Sequence, residues 1–160
     1  EAILTLNNGG ASGNEAGIEW LYEASTTPRA KIFLDASSQN LTFQTANATA
    51  FIIDSVGTVE VSKNAKGTLT TDNDGSFDLE ASNNFKCTPS GSFTLTFTNR
   101  DNTQTGNILL VNSGGHTVSA HANTKVDASI LATITAAGTY LVSYFSDGTN
   151  VYLTNSAIYT

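Results

Sequence analysis

Apolar and polar positions alternate along most of this chain, in short runs separated by Gly, Asn, Asp and Ser. Successive side chains of a strand point to opposite faces, so a period of two predicts half-buried β-strands. The clearest run is Gly138 to Asn155, GTYLVSYFSDGTNVYLTN. Tyr140, Val142 and Tyr144 fall on one face, with Leu141, Ser143 and Phe145 on the other. The return strand sets Val151 and Leu153 opposite Tyr152. Asp147-Gly148 between the two runs predicts a hairpin turn, because Gly and Asp tolerate the backbone conformations a tight reversal needs. Ser92 to Phe97 alternates as cleanly. Ile108 to Val111 is continuously apolar and predicts a central strand buried on both faces.

Two regions separate by pattern. Residues 1–63 carry predicted strands at Ala2–Leu6, Gly17–Tyr22, Ala30–Asp35, Leu41–Gln44, Ala50–Asp54 and Thr58–Val61. The run Asn7–Asn14 reads as a loop, and turns fall at Pro28 and Ser55-Val56-Gly57. Residues 64–160 carry them at Thr68–Thr70, Ser76–Leu79, Phe85–Cys87, Ser92–Phe97, Asn107–Val111, His116–Ala120 and Ile130–Ile134, followed by the closing hairpin. The expected fold is all-β: an antiparallel β-sandwich or jelly-roll-like C-terminal domain preceded by a short-stranded module. No helix is predicted beyond a single turn at Ala128–Ala132. About sixty residues of short strands bury little surface alone. The first region is therefore expected to pack on the second or to associate with copies of itself. Three chains about one axis would bury the apolar face of each and pair the exposed edges, so a trimer is favoured.

Composition sharpens this picture. The chain has 160 residues, enough for one domain or two small ones. At 39% hydrophobic it can bury a core, yet only 13% of it is charged, about half the usual fraction. Polarity comes instead from Thr, Ser, Asn and Gly, which suit pleated surfaces and turns. Seven Lys and Arg against fourteen Asp and Glu give a net charge of -7. That balance opposes nucleic-acid binding, which needs cations to displace counterions from phosphates. It equally opposes docking on anionic membranes. The sequence shows no signal-peptide pattern and no apolar stretch near the roughly 20 residues of a membrane helix, so membrane insertion is not expected. Glu1 in place of a starting Met fits a processed chain or a piece of a longer one. Cys87 is the single cysteine, which leaves no intrachain disulfide, and its strand-like setting predicts a small core residue.

Chemistry-bearing residues are few. Asp72, Asp74, Asp78 and Glu80 form one acidic cluster in TTDNDGSFDLE, and Asp-x-Asp-Gly resembles the start of a calcium loop. The glutamate that would complete such a loop is absent, since Asn83 stands there, so a turn is the favoured reading and calcium near Asp72, Asp74 and Asp78 the lesser one. His116 and His121 are five apart, an odd spacing that puts them on opposite faces of a strand, and both are expected in exposed loops. Glu15, Glu19, Glu23, Asp35 and Asp54 offer carboxylates, but nothing singles out the positioned pair that glycoside hydrolysis requires. No Ser-His-Asp signature, phosphate-binding Gly loop or zinc spacing occurs, so no catalytic, cofactor or metal residue is assigned. Asn40-Leu41-Thr42 and Asn47-Ala48-Thr49 match the glycosylation sequon. Trp20, Tyr22, Tyr140, Tyr144 and Tyr152 could stack on sugars, though their alternation favours core or interchain packing. Tyr159 is expected to pack on a neighbour.

Several motifs carry a resemblance. Ala16-Gly17-Ile18-Glu19-Trp20, Ala30 to Asp35, Leu41-Thr42-Phe43 and Ala50 to Val59 are similar to a bacteriophage tail-fibre module. Asn84 to Asn99, Gly106 to Val118 and the Asp147-Gly148 hairpin resemble a domain of phage tail and virion proteins. One departure stands out: that family often has a Trp-Pro segment after the "T-V" strand, where this chain has Ser119-Ala120-His121-Ala122. The resemblance covers most of the chain and implies a fold more than an activity. It implies a non-enzymatic virion structural protein, a tail-fibre or appendage subunit in contact with other virion proteins and in some cases a host-surface glycan. The loops expected to make contacts are Ser113-Gly114-Gly115, Ala120–Lys125 with His121, and Ser146–Asn150 with Asp147, Gly148, Thr149 and Asn150. A capsid decoration protein and a carbohydrate-binding module are the alternatives, and a polysaccharide depolymerase ranks lowest.

Overall fold

A computed structural model describes residues 16–20, 30–35, 37–46, 48–62 and 64–159. The expected strand at Ala2–Leu6, the loop after it, Glu15, Tyr22, Glu23 and the Pro28 turn lie outside these residues. Contacts divide the chain into two units, Glu1–Ala65 and Lys66–Thr160.

In the first unit, β1 (Ala16–Trp20), β2 (Ala30–Leu34), β3 (Leu41–Thr45), β4 (Ala48–Ile53) and β5 (Val59–Val61) pair in sequence order as an antiparallel five-stranded meander. Asp residues shape its turns. The Asp35 carboxylate accepts the amides of Ser37 at 2.9 Å and Ser38 at 3.3 Å, and that of Asp54 accepts Val56 at 3.0 Å and Thr58 at 2.7 Å. Gly57, at φ +89°, completes the second turn in a conformation open to glycine.

The second unit is the all-β sandwich expected of residues 64–160, with mixed strand directions. Its strands are β6 (Leu69–Thr71), β7 (Ser76–Asp78), β8 (Asn84–Cys87), β9 (Phe93–Thr98), β10 (Asn102–Asn112), β11 (Val118–Ala120), β12 (Thr124–Lys125), β13 (Gly138–Asp147) and β14 (Val151–Asn155). One sheet has the order β12-β14-β13-β10-β8-β6 and the other β11-β9-β7. The chain steps between the sheets with each strand from β6 to β12. Strands that become neighbours within a sheet therefore run the same way: β6 beside β8 beside β10, and β7 beside β9 beside β11, are all parallel. Only the β10–β13 and β13–β14 pairs are antiparallel. Period-two alternation is identical for both directions, so the pattern of residues could not distinguish them.

The core lies between the two sheets. Phe77 and Leu79, Phe85 and Cys87, Phe93, Leu95 and Phe97, Ile108 and Leu110, and Tyr140, Val142 and Tyr144 all face inward and are buried. Phe77 packs on Phe85 and Phe97 with ring centroids 5.1 and 5.5 Å apart, and Phe97 on Tyr144 at 5.5 Å. The closing hairpin has the expected faces: Val151 and Leu153 are buried with Tyr140, Val142 and Tyr144, while Tyr152 and Phe145 are exposed. β10 is central, but only its inner face, Ile108 and Leu110, is buried; Leu109 and Val111 are half-buried on the outer face. The continuous apolar run thus marks a strand closed on one side and partly open on the other.

Ile130–Ile134, expected as a strand, belongs instead to helix α1 (Ala128–Thr135). Asp127 caps it, its carboxylate accepting the Ser129 amide at 2.8 Å and hydroxyl at 2.5 Å. Ile134 is fully buried, and Leu131 packs against the core from three residues before it. Helical spacing of these two side chains closes one end of the sandwich, which overrides the strand preference of Ile and Thr.

Candidate interaction surfaces

Two of the three expected contact loops meet at one end of the sandwich. The Asn123 carbonyl accepts the Val151 amide at 2.9 Å, which sets Ala120–Lys125 against the β13–β14 tip. At that tip the Asp147 amide donates to the Asn150 carbonyl at 3.1 Å. The Asp147 carboxylate accepts the amides of Asn150 at 2.7 Å and Thr149 at 2.9 Å, and the Tyr152 hydroxyl at 3.0 Å. These donors, Asn150 first, hold the Asp147 carboxyl below its ordinary range, and the same carboxylate raises the Tyr152 phenol. Asp147 is a scaffold for the turn. Gly148 follows at φ +83°, with only Asn102, 3.5 Å away, near the place a side chain would occupy. Gly148→Val therefore meets a conformational cost, not a steric one. It is expected to lower the unfolding free energy by about 1–2 kcal/mol, read as a shift in urea midpoint. An unchanged midpoint with altered surface binding would show that Gly148 serves contact alone.

Ser113-Gly114-Gly115 lies at the opposite end. Asn102, at the start of β10, pairs with Asp147, so Asn112, at its end, pairs with Gly138 and carries this loop away from the tip. There Asn112 is fully buried. Its amide nitrogen donates to the carbonyls of His116 and Ile134 at 2.9 Å each and Thr135 at 3.3 Å, and its oxygen accepts the His116 amide at 2.9 Å. The expected loops thus form two surfaces, not one.

On the outer face of the large sheet, Phe145 and Tyr152 are cross-strand partners, 45% and 46% exposed. An open groove of about 310 Å³ runs beside them, bounded also by Ser143 and Thr154. Of the aromatics considered for sugar stacking, Tyr140 and Tyr144 are core and Tyr152 and Trp20 are exposed. Phe145, which residue type alone did not single out, completes the exposed pair through its register with Tyr152. Tyr159 is held by its amide on the Thr139 carbonyl at 2.9 Å while its ring stays exposed.

The acidic cluster is spent on turns. Asp72 accepts the Asp74 amide at 3.2 Å, Asp74 that of Ser76 at 2.8 Å, and Asp78 both the Glu80 amide at 3.0 Å and the Asn99 side chain at 2.9 Å. Among the described residues no group of three His, Cys, Asp or Glu gathers as a metal site, and no helix is long and apolar enough to cross a membrane. His121 is exposed, its Nδ1 accepting the Asn123 amide at 3.3 Å, and His116 is half-buried beside Gly114. Burial, aided by Asp72 and Asp74, pushes the Cys87 thiol up to about 12, which leaves it inert.

These turn carboxylates imply an acid limit to stability. Amide and hydroxyl donors hold Asp35 down at about 2, and hold Asp54, Asp127 and Asp147 below the ordinary 3.8. A depressed carboxyl stabilises the fold above its unfolded value and loses that contribution as pH falls through its folded value. Asp72, raised chiefly by burial, acts in the opposite sense. The thermal midpoint is expected to hold near about pH 5 and to fall steadily toward about pH 2. A flat profile over that range would contradict these assignments.

The first unit presents a different surface. Register aligns Ile18, Ile32, Phe43, Phe51 and Val61 in one cross-strand row, and Leu34, Leu41, Ile53 and Val59 in the next. Neighbours in register share a face, so both rows lie on one side, with Trp20 and Ala30 continuing it. Phe43 and Phe51 meet edge to face at 5.1 Å. Nothing in these rows is buried, and Leu34 and Val59 are 49% and 57% exposed. The reverse face carries Glu19, Lys31, Gln44 and Glu60, yet it holds the only buried residues among those described in this unit, Phe33 and Thr42. Glu19 and Lys31 pair there at 3.0 Å. No protein-family model, curated protein or solved structure matches the chain.

Proposed function

We propose that this chain is a non-enzymatic structural subunit of a bacteriophage virion, a tail-fibre or related appendage protein that works as an assembled homo-oligomer, a trimer by preference. The observation that carries the reading is the contrast between the units. One is a sandwich closed around its own aromatic core, and the other is a sheet whose two apolar rows hold no buried residue among those described. Such a sheet gains its burial from assembly, while the rigid sandwich can hold polar loops toward other virion proteins or a host surface. The motif resemblance supplies the virion setting.

Locating the chain in a density map of the particle tests this reading. Density at a fibre or appendage supports it. Density on the shell between capsomers would favour a decoration protein, and absence from the particle would overturn the proposal. The groove beside Phe145 and Tyr152 favours one further reading, a glycan ligand, since exposed aromatic rings stack on sugar faces while neighbouring hydroxyls take hydrogen bonds. Glycan-array binding lost in Tyr152→Ala would support it, and an array with no signal would remove it.

A further inference from the structure

We propose that the Lys66–Gly67 peptide bond is a processing site, at which a trypsin-class serine endoprotease divides the chain between its two units. This goes beyond the virion reading and does not depend on it.

An endoprotease holds its substrate as an extended strand, so a bond is cut where the backbone around it is exposed and free of other hydrogen bonds. Residues 64–68 meet that requirement. All are exposed and belong to no helix or strand, and Leu69, which opens β6, is 58% exposed. Among the described residues, no hydrogen bond reaches Asn64, Ala65, Lys66 or Gly67. Thr68, whose carbonyl accepts the Ser82 hydroxyl, is the first anchored position. The boundary of the two units falls between Ala65 and Lys66. β5 ends at Val61 and the sandwich core begins at Phe77, so hydrolysis here takes no residue from either.

Side-chain chemistry names the class of protease. A trypsin-class pocket holds a cationic side chain against a carboxylate. Lys66 supplies the cation, and its neighbours Asn64, Ala65, Gly67 and Thr68 bring no negative charge to that pocket. The other described cations sit where a protease cleft cannot take their backbone. Lys31 lies on β2, paired on both sides by β1 and β3, and Lys86 on β8, paired on both sides by β6 and β10. Lys125 lies on β12, paired with β14, and its ammonium donates to the Ala122 carbonyl at 2.7 Å. Arg100 is half-buried, donates to the Phe97 carbonyl and is followed by Asp101. The reaction adds one water across the bond. The protease serine takes the Lys66 carbonyl as an ester while the Gly67 nitrogen leaves with a proton, and water then frees the Lys66 carboxylate and restores the serine. The unit with polar loops and the unit with apolar rows are then separate chains.

Trypsin at a low ratio to the folded full chain, followed by intact mass and near-ultraviolet circular dichroism, tests this. The expected result is one early cut that yields residues 1–66 and 67–160, with the aromatic signal of the sandwich retained. Lys66→Gln is expected to slow that cut at least about a hundredfold, Lys66→Arg to preserve it, and Lys125→Gln to leave its rate unchanged. A first cut at any other Lys or Arg would overturn the proposal. So would a folded chain that stays intact under conditions that digest the unfolded chain. Loss of the aromatic signal in step with the cut would also overturn it, because cutting would then pass through unfolding.

Discussion

Gly106→Ala is expected to lower the stability of the sandwich unit by about 3 kcal/mol or more, a large part of the total for a domain of this size. Gly106 lies on β10, paired with Tyr144 of β13. A methyl group there would come within 1.8 Å of the Asn83 carbonyl oxygen and 2.4 Å of the Tyr144 hydroxyl. Neither obstacle can give way freely. Asn83 O belongs to the backbone and already accepts the Tyr144 hydroxyl at 3.2 Å and the Asn107 amide at 2.9 Å. The Tyr144 ring is buried against Phe97, and burial raises its phenol to about 12. The alanine must push β8's approach, the tyrosine or both out of place. Urea unfolding followed by circular dichroism reads the effect. Gly91→Ala, where nothing lies within 4 Å, is the matched control and should move the midpoint little. Equal midpoints for the two variants would refute the packing argument.

Asn112→Asp is expected to cost about 3–5 kcal/mol at neutral pH although it replaces a single NH₂ by oxygen. The Asn112 amide nitrogen faces three carbonyl oxygens, of His116, Ile134 and Thr135, in a fully buried site. A carboxylate there would present negative charge to acceptors and leave those carbonyls without their donor. Protonation restores one donor, so burial and the carbonyls raise the folded pKa of the new acid above its unfolded value. Its destabilising effect is then smallest at low pH and grows as pH rises through the ordinary carboxylate range. The gap between wild type and variant should narrow in acid. A gap that stays constant with pH would show that geometry, not charge, sets the cost.

Much of the fold was legible because burial acts through alternation. The Tyr140-Val142-Tyr144 face and the Val151-Leu153 face were set by a period of two that only a strand can use. The helix was not legible, since Ile130-Leu131-Ala132-Thr133-Ile134 is a sound strand by composition. Asp127 and the slot that Ile134 fills made it helical. The strand β12 was missed because two residues, Thr124 and Lys125, carry no period. The contact loops were legible as turns, but not their placement, because β10 carries Ser113–Gly115 to the end away from Asp147. The apolar face of the first unit needed register as well: Ile18, Ile32, Phe43, Phe51 and Val61 lie far apart in sequence and become one row only when the meander sets them side by side.

That meander and the sheet-to-sheet winding of the second unit also differ in how soon each can form. Every described strand pair of the first unit joins neighbours in sequence, so its loops close over short spans and its contacts form fast. The second unit waits on distant partners: Asn83 must meet Tyr144, and β12 must receive β14 after α1 and β13 have been made. During synthesis the first unit leaves the ribosome first and can fold while the second is still incomplete. Chains growing side by side on one message would then display the same apolar rows to one another at high local concentration while their sandwiches are still unfinished.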